Sequence, residues 1–367
     1  MGEIKYKVID SINEIPQAEW ERLFPDTIEG YPFYKTVEEA HLEGFSFYYL
    51  LLYEKGALSL IAPLFITEFD LAIAAEGLPE RIISCLRRFM PKLLKLKTLF
   101  CGSPFGENGK LGMKKDSKVY SMLIQSLAKG IEDFSAEKKI SLTIFKDFLK
   151  EDLPFLNPLE DLGFWRIESF PSIITELPFA SFKEYLESLG HETRKGLRRK
   201  LKKAYAKGDI KVEIKNSVEG LIEDIYRLYL NTYTSGDTKL ERLTPEFFLS
   251  AGKNMQPNIR FFLYYVNGGL AAFNLCLVYE NLFIDKFIGF DYDISRKYNL
   301  YFLSWCFNVE WCIKNSVTRY QTGQTDYQPK MQLGGGIIPL YAYLKHRDLT
   351  LNLVLRFLAK IMRPKVS

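Results

Sequence analysis

Two hairpin patterns, one in each half of the chain, constrain the fold more than any other feature of the sequence. In the first half, two apolar runs flank a turn at Lys55-Gly56, and in the second half two such runs flank Asn267-Gly268. Asn-Gly is the dipeptide most typical of a two-residue hairpin turn. Aligning the two turns sets the segment YEKGAL beside YVNGGL, with few identities but similar residue types. This alignment indicates an internal duplication.

The patterns around both hairpins follow one order: a strand, two helices, the hairpin, a strand, a helix and closing strands. In the first half, Asp116 or Ser117 is the expected cap of the long helix, and a helical insert, EGLPERIISCLRRFMPKLLKLK, follows the hairpin. A chain of 367 residues is long enough for two domains. We therefore predict an α+β fold with tandem domains at residues 1–180 and 181–367, each a mixed, mostly antiparallel sheet flanked by helices.

The composition excludes several classes of protein. Hydrophobic residues make up 47% and aromatic residues 15% of the chain, as in folded globular proteins, so disorder is not expected. The sequence starts without the apolar run of a signal peptide, and no stretch approaches the roughly 20 apolar residues that would span a bilayer. The five cysteines form no CxxC pair, and there are only three histidines. We therefore expect a cytoplasmic protein without a metal site made of His and Cys.

A strongly basic segment lies at the start of the second half. Residues 194–207 contain eight Lys or Arg and no acidic residue, whereas the whole chain has a net charge of only +4, so any attraction for polyanions must be local. Leu197, Leu201 and Tyr205, spaced i, i+4 and i+8, are predicted to form the inward edge of a helix. The cations predicted to project from this helix are Arg194, Lys195, Arg198, Arg199, Lys202 and Lys203. Of these, Arg194, Arg198, Arg199 and Lys202 are predicted to bind substrate.

The sequence leaves three interpretations of this basic helix open. Its position before the first strand of the second domain would place it at the edge of a cleft between the halves, where it would attract a small-molecule or lipid-linked substrate that carries phosphate. It could instead be a solvated structural face. It could also contact tRNA, in which case affinity would fall steeply with salt. Its narrow apolar edge favours electrostatic docking over insertion if the partner is an anionic lipid.

Three segments of the second half resemble one family of transferases. They are HETRKGLRRKLKKA, FDYDISRKYNLYFLSWCFNVEWCIKN and RYQTGQTDYQPKMQLGGGIIPL. Together with the order of elements, they are similar to the tandem GNAT domains of the Fem-type aminoacyl and peptidyl transferases and their FemAB-like acyltransferase relatives. The resemblance covers residues 180–347 and extends to the first half by topology alone. It implies transfer of an acyl or aminoacyl group to an amine of a small metabolite or a cell-envelope precursor.

The resemblance also implies a donor. Acyl-CoA or another acyl thioester is the expected co-substrate, with no tightly bound cofactor, because the second domain lacks the long inserted helical hairpin of some tRNA-using relatives. Two motifs depart from the family pattern. No aromatic residue directly precedes Lys330, and the segment RKYNLY lacks both glycines of the turn that receives the pyrophosphate of coenzyme A in GNAT domains. The alternatives are an aminoacyl-tRNA-dependent peptidyltransferase and a non-catalytic module that binds RNA or anionic lipid.

The candidate phosphate-binding residues lie between the last hairpin and the apolar helix. Residues 291–300 are predicted to form a loop that opens this helix, where free backbone N–H groups would favour an anion. In this interpretation Arg296, Lys297 and Tyr298 contact the phosphates of the donor. The alternative is a surface loop with two solvated cations.

The candidate catalytic residues follow the closing strands. Lys330 is predicted to contact a carbonyl or phosphate of the substrate, with Gly334 and Gly335 letting the backbone approach the ligand, and an exposed lysine on a structural loop is the alternative. The general base is expected among the side chains near strand ends, although turn chemistry also explains aspartates there. These candidates are Asp291, Asp326 and Tyr327, with Asp285 on the strand itself.

A glycine-rich segment in the first half, CGSPFGENGKLGM, is a weaker candidate. Its Gly106, Gly109 and Gly112 could wrap a phosphate or an acceptor group. A purely structural loop is the favoured interpretation of such spacing. Which half contains the active site is left open by the sequence.

Overall fold

The computed structural model describes residues 4–25, 27–74, 78–114, 120–236 and 241–361. The expected caps Asp116 and Ser117 lie outside these residues. The strands, in chain order, are β1 Ile4–Ile9, β2 Ser46–Glu54, β3 Ala57–Asp70, β4 Lys95–Cys101, β5 Gly112–Met113, β6 Leu142–Leu149, β7 Trp165–Glu168, β8 Ser172–Glu176, β9 Ile210–Lys215, β10 Ile259–Val266, β11 Gly269–Tyr279, β12 Leu282–Phe290, β13 Arg319–Gln321, β14 Gly336–Ile338 and β15 Leu340–His346.

The helices are also numbered in chain order. They are α1 Gln17–Leu23, α2 Tyr31–Glu39, α3 Leu78–Leu86, α4 Tyr120–Glu137, α5 Leu153–Leu156, α6 Pro158–Asp161, α7 Phe182–Ser188, α8 His191–Lys207, α9 Ile222–Ser235, α10 Pro245–Asn254, α11 Tyr292–Tyr298, α12 Leu300–Lys314, α13 Tyr327–Gln332 and α14 Leu349–Ile361. Within the described part of the chain, no helix is both long and apolar enough to cross a membrane.

The strands form two sheets with the same arrangement. The first sheet has the order β1-β2-β3-β4-β6-β15-β7, with the short β5 beside β3, and the second has the order β9-β10-β11-β12-β13-β8-β14. The β4–β6 pair and the β12–β13 pair are parallel, and the other described pairs are antiparallel. The predicted pair of mixed, mostly antiparallel sheets is therefore confirmed.

The two compact units do not match the two halves of the sequence. The first unit contains the described residues up to Glu38, those of Leu42–Pro171 and those from Pro339 on, and the second contains Glu39–His41 and Ser172–Ile338. The predicted division at residue 180 therefore differs from the division into compact units, in which the described residues from Pro339 on belong to the first unit. The reason is that each sheet takes its sixth strand from the other half of the sequence: β15 pairs with β6 and β7, whereas β8 pairs with β13 and β14.

The two hairpins share conformational details beyond their topology. Lys55 and Gly56 have φ angles of 51° and 83°, and Asn267 and Gly268 have 50° and 85°, which suit a two-residue turn with both central residues at positive φ. In each hairpin the register shifts at the matching place, just before a tyrosine that pairs with a leucine: Tyr53 with Leu58 and Tyr265 with Leu270. These matches are what the hypothesis of internal duplication predicts.

The second sheet has helices on both faces. On one face α7, α8, α11 and α12 bury a cluster that includes Leu197, Phe262, Trp305 and Tyr320. On the other face, rings of α9 and α10 pack against strand residues, for example Phe248 against Phe273 with 5.7 Å between ring centroids. Helix α12 is the predicted apolar helix, and its buried side chains include two polar residues, Ser304 and Asn308. Asn308 contacts residues of the candidate site.

Candidate functional site

The parallel strands β12 and β13 of the second sheet are paired at one end and separate at the other. We call the place where they separate the fork. Strand β12 pairs with β13 only over Leu282–Ile284, opposite Arg319–Gln321, and then continues to Phe290 paired with β11 alone. Asp285 is the first residue beyond this pairing. On its other side, Cys276 pairs with Asp285 and Leu275 with Phe287, so Lys286 is an extra residue on β12. Such a β-bulge ends regular pairing and re-aims side chains, which is common beside active sites.

The carboxylate of Asp285 is held by side chains from three other elements. The Asn274 amide donates to both carboxylate oxygens at 2.8 and 2.9 Å, the Tyr320 hydroxyl donates to Oδ2 at 2.8 Å, and Asn308 Nδ2 donates to Oδ2 at 3.3 Å. Burial raises the pKa of Asp285, although the hydrogen bonds from Asn274 and Tyr320 and the charge of Lys330 act in the opposite direction. The residue still keeps part of its surface accessible. We call Asp285, Asn274, Asn308 and Tyr320 the fork cluster.

The fork cluster is supported by a second set of buried aromatic groups. The Tyr264 hydroxyl donates to Oδ1 of Asn308 at 2.9 Å, which fixes the orientation of that amide. Trp305 packs edge-on against Tyr320, with ring centroids 4.9 Å apart, and its indole N–H donates to the Tyr185 hydroxyl at 2.9 Å. Since rigid supporting groups hold functional side chains in one geometry, Asp285 is preorganised rather than free to rotate.

Lys330 lies beside this cluster on helix α13. Its side chain is buried, so the alternative of an exposed lysine is wrong, and Nζ donates a hydrogen bond to the carbonyl of Thr322. The predicted loop around it is a short helix that ends in a glycine turn. Gly334 has φ of 92°, and the Gly335 N–H donates to the Lys330 carbonyl at 2.9 Å. A Cβ at Gly335 would lie 2.6 Å from Cγ2 of Ile173, so glycine is needed there for packing.

Three buried polar atoms around the fork cluster have no hydrogen-bond partner among the described residues. They are the Tyr301 hydroxyl, Oγ1 of Thr322 and Oδ1 of Asn274. Burial raises the pKa of Tyr301, and the charges of Asp326 and Asp285 raise it further, which indicates that this phenol is close to both carboxylates. Buried polar groups are normally paired, so unpaired ones that gather at one place are candidates for contact with a ligand.

Asp326 and Tyr327 lie at the start of α13. Asp326 is exposed and has φ of 52° and ψ of 53°, a left-handed backbone conformation that is uncommon for residues other than glycine. Backbone strain of this kind is concentrated at functional sites. Tyr327 is partly buried and begins the same helix as Lys330. Of the predicted site residues, Lys330 is thus brought near Asp285 and Asp326 near Tyr301.

Asp291 is placed differently. Its Oδ1 accepts a hydrogen bond from the Ile294 N–H at 3.2 Å, which caps α11, and its Oδ2 lies 3.9 Å from a guanidinium nitrogen of Arg227. The capping explains why the prediction of a loop over residues 291–300 is wrong. After Asp291 the chain forms helix α11, and Asn299, at φ of 52°, redirects it directly into α12.

The three predicted phosphate-binding residues of this segment have unlike environments. Arg296 and Lys297 are exposed in the last turn of α11. Tyr298 is buried, and its hydroxyl accepts from Nδ2 of Asn267 at 3.2 Å and donates to the carbonyl of Lys207 at 3.4 Å. Tyr298 therefore ties α11 to the end of α8 and to the hairpin turn.

The predicted basic helix is present as α8, and it packs on α11 and α12. Leu197 and Ala204 are its buried residues, whereas Tyr205, predicted to face inward, is 58% exposed. At about 100° per residue, position i+7 returns to within about 20° of Leu197 while i+8 is about 80° away, which explains the error. Of the predicted cations, Arg198, Arg199 and Lys202 are exposed, and Arg194 donates to the carbonyl of Glu187 at 3.0 Å.

One cation of α8 that the analysis of the sequence did not single out faces the core. Lys200 Nζ lies 3.1 Å from the ring centroid of Phe302, the residue after Tyr301. Burial and the neighbouring Arg199 lower the pKa of Lys200. A helical wheel built on Leu197 could have found it, because i+3 falls beside the buried edge.

The first sheet has an equivalent fork with different side chains. Its parallel pairing of β4 with β6 ends at Cys101, opposite Phe145. The hairpin alignment and the strand registers match Asn274, Cys276 and Asp285 to Ala62, Leu64 and Cys101. These three residues of the first unit are all buried. At these positions the second unit has an amide, Asn274, and a carboxylate, Asp285, whereas the first unit has neither group.

The glycine-rich segment of the first half packs against its own fork. The Gly109 N–H donates to the carbonyl of Asp147 at 2.7 Å, and a Cβ on Gly109 would lie only 2.1 Å from the carbonyl oxygen of Lys146. A Cβ on Gly112 would lie 2.2 Å from the ring of Phe24. These two glycines are thus required by close packing, as the interpretation of a structural loop predicts.

Comparison with known proteins gives a family and a fold. Residues 11–355 match the model of the FemAB-like family, whose description is peptidoglycan biosynthesis and recognition. The structure of FemX is similar with a TM-score of 0.56 and 12% identity, covering 95% of this chain and 100% of FemX. A tandem GNAT protein from the clavulanic acid biosynthesis pathway gives 0.56 and 9%, with 94% and 99% covered. No curated protein sequence matches significantly. These identities establish the fold alone, which is the predicted tandem GNAT architecture.

Proposed function

Because the chain belongs to the FemAB-like family, we propose that it is an acyltransferase that moves an acyl or aminoacyl group to an amine at the fork between β12 and β13. The proposed donor is an acyl thioester such as acyl-CoA, and the proposed acceptor is the amine of a cell-envelope precursor. The observation that carries the proposal is the fork cluster. In it, the partly accessible residue Asp285 has a carboxyl of raised pKa and lies beside a buried lysine and buried hydroxyl groups that have no hydrogen-bond partner among the described residues.

Asp285 is the proposed general base. An amine acceptor is an ammonium ion near neutral pH and must lose a proton before it can attack. Asp285 takes the proton that the ammonium loses. The neutral amine nitrogen then bonds to the carbonyl carbon, the bond from carbon to the thioester sulfur breaks with the electron pair leaving on sulfur, and the nitrogen releases its second proton to solvent. A carboxylate of raised pKa is a stronger base than an ordinary one, which suits this role.

Lys330 and two hydroxyl groups are the proposed donors to the oxyanion. The Lys330 ammonium donates to the Thr322 carbonyl, and a lysine ammonium has three N–H donors in all. The Tyr301 and Thr322 hydroxyls are buried without hydrogen-bond partners among the described residues, so each can donate to a bound oxygen without breaking an existing bond. Donors fixed in advance stabilise charge that develops in the transition state, commonly by about 3–4 kcal/mol each. Tyr327, at the start of α13, is proposed to protonate the leaving thiolate, with Asp326 beside it.

Phosphates of the substrate are proposed to bind on the cationic surfaces of α8 and α11. These helices are neighbours in the second unit, and Lys207 Nζ donates to the Lys297 carbonyl at 3.3 Å. Arg198, Arg199 and Lys202 on α8 and Arg296 on α11 are exposed, so a phosphate can reach them. Gly334 and Gly335 contribute by ending α13 and so fixing Lys330.

The test is formation of an N-acyl product, followed by mass spectrometry, with a panel of acyl-CoA donors and amine acceptors. The Asp285→Asn variant is expected to lose about 10²–10⁴ in kcat/KM, the usual contribution of a general base. Asp291→Asn is the matched control, because it alters a capping aspartate of the same unit outside the fork cluster. An Asp285→Asn variant as active as the wild type would contradict the assignment, and no product from any donor would contradict acyl transfer from thioesters.

An aminoacyl-tRNA donor is the second candidate. It is favoured by the exposed cations of α8, which a polyanion could contact over several phosphates. Binding of tRNA through them predicts an affinity that falls steeply as salt increases, whereas a thioester donor with few phosphates predicts a shallow dependence. Titration of tRNA and of coenzyme A at several salt concentrations separates the two donors.

A further inference from the structure

Large apolar side chains are exposed in two short segments of the first unit. Of the thirteen exposed large hydrophobic residues among those described, eight lie in these segments. They are Leu86, Phe89, Met90, Leu349, Leu351, Leu353, Val354 and Phe357. Single apolar residues are ordinary on a protein surface, but such a concentration marks an interaction surface.

The first segment is the turn that follows α3, residues 86–90, which we call the insert turn. It has a defined conformation, since Arg87 donates from Nε and a terminal nitrogen to the Leu93 carbonyl at 3.1 and 2.9 Å and forms an ion pair with Asp70. Phe89 is 84% exposed at its tip. The outward apolar groups are therefore presented by a fixed turn.

The second segment is helix α14. Asn352 attaches it to the sheet, because Oδ1 accepts from the Trp165 indole at 2.8 Å and from the His346 N–H at 2.8 Å. Leu355 and Ala359 pack on the sheet, while the residues on the other sides include Phe357, which is 65% exposed. A helix that covers a sheet normally carries polar residues on its outer side. We therefore expect another surface to cover the apolar outer side of α14.

Both segments start from the same face of the first sheet. One buried cluster, centred on Phe65, Phe100 and Ile144, is covered by side chains from both regions. At the base of the insert these are Phe69, Leu71 and Leu96, and from α14 they are Leu355 and Ala359. Two segments that are far apart in the sequence are thus anchored on one apolar cluster.

The charged residues within both segments are all basic. Residues 81–97 contain six Lys or Arg and no acidic residue, and residues 349–367 contain four and none, although the whole chain has a net charge of only +4. A second copy of the chain would bring these cations against one another. An anionic lipid surface complements both the charge and the apolar side chains.

We infer that the insert turn and α14 form a docking surface for anionic membranes. Phe89, Met90 and Phe357 enter the boundary between headgroups and acyl chains, and the flanking Arg and Lys contact lipid phosphates. Neither the fork cluster nor α8 is part of this surface, so the inference does not depend on the proposed activity. It names a role for the insert, which the analysis of the sequence left open.

The test is co-sedimentation of the full chain with vesicles of phosphatidylcholine alone or with about 30% phosphatidylglycerol, a composition that gives the surface a negative potential. We expect binding to the anionic vesicles that weakens with salt. The double variant Phe89→Ser/Phe357→Ser should bind at least about tenfold more weakly, because it loses the groups that insert. Tyr205→Ser is the matched control, since it removes an exposed aromatic residue of the second unit and should bind as the wild type does.

Three results would overturn the inference. The first is failure to bind the anionic vesicles. The second is unchanged binding of the double variant, which would assign any lipid contact to another surface such as α8. The third is a dimer in light scattering that Phe89→Ser/Phe357→Ser dissociates, which would identify a second copy of the chain as the occupant. Thermal unfolding of the double variant should match the wild type, because both phenylalanines are exposed.

Discussion

The Tyr320 hydroxyl donates to Oδ2 of Asp285 at 2.8 Å, at the end of the parallel pairing between β13 and β12. The phenol is fully buried, whereas Asp285 as a residue keeps part of its surface accessible. The bond therefore connects the core of the second unit to the place where a substrate would react. It also lowers the pKa of Asp285 against the effect of burial, so it tunes the proposed base.

Tyr320→Phe is predicted to shift the pH dependence of activity. Removing the hydroxyl removes a hydrogen bond that lowers the pKa of Asp285, so the pKa rises further. Since the base acts when ionised, the acidic limb of kcat/KM against pH should move to higher pH, by up to about one unit. The Tyr343→Phe variant, which alters a buried tyrosine of the first unit, should leave the limb in place. If the acidic limb of Tyr320→Phe lies at the same pH as that of the wild type, the ionisation of Asp285 does not control kcat/KM.

Asp285 should also leave a signature in stability. Its folded pKa is above its unfolded value, so the native state binds more protons than the unfolded state between the two values. The free energy of unfolding therefore falls as pH rises through this window and is level above it. Asp285→Asn lacks this contribution, so its stability relative to the wild type should increase with pH across the window. Denaturant unfolding from pH 4 upward measures this, and a constant difference would contradict the raised pKa.

Gly335→Ala is predicted to destabilise the protein and to disturb Lys330. The new Cβ would lie 2.6 Å from Ile173 Cγ2 and 2.9 Å from the Lys330 carbonyl oxygen, so backbone must move. The expected loss is about 1–3 kcal/mol in the free energy of unfolding. Gly196→Ala is the matched control, since its Cβ would meet nothing within 4 Å and α8 should gain about 0.5–1 kcal/mol. Equal stability of both variants would argue against tight packing at the glycine turn.

The cations of α8 are predicted to act on substrate binding rather than on chemistry. Replacing Arg198, Arg199 and Lys202 together by Gln should raise KM for a phosphate-bearing donor by about tenfold and leave kcat nearly unchanged, because the lost attraction is uniform along the reaction. The dependence of KM on salt should become shallower. Lys183→Gln, at an exposed position on α7, should change neither quantity. A fall in kcat without a change in KM would place these cations in the chemical step.

Sequence patterns predicted the elements better than their partners. The hairpin turns, the apolar helix α12 and the basic helix α8 all follow from local spacing. The exchange of β8 and β15 between the sheets does not, because the partner of a short strand is set by contacts far along the chain. Residues 291–300 are likewise predicted to form a loop, because the sequence does not distinguish an aspartate that caps a helix, as Asp291 does, from one that acts as a base.

The sequence predicts only part of the fork cluster. Asp285 was a candidate base, but Asn274 and Asn308, which hold it or lie beside it, were not singled out. Both are amides within apolar runs, one in a strand and one in a buried helix. Polar residues in such positions are normally hydrogen-bonded, so each signals a partner in the core. What the sequence could not supply was the register that brings β11, β12 and β13 together with α12.

A crystal structure with a non-reactive analogue of an acyl-CoA donor tests the central claim most directly. The account predicts that the acyl group lies in the fork between β12 and β13, with its carbonyl oxygen about 3 Å from Lys330 Nζ or the Tyr301 hydroxyl, and the phosphates on α8 and α11. Asp285 should face the side from which an amine attacks. An analogue bound at the fork of β4 and β6, or away from both forks, would contradict the account.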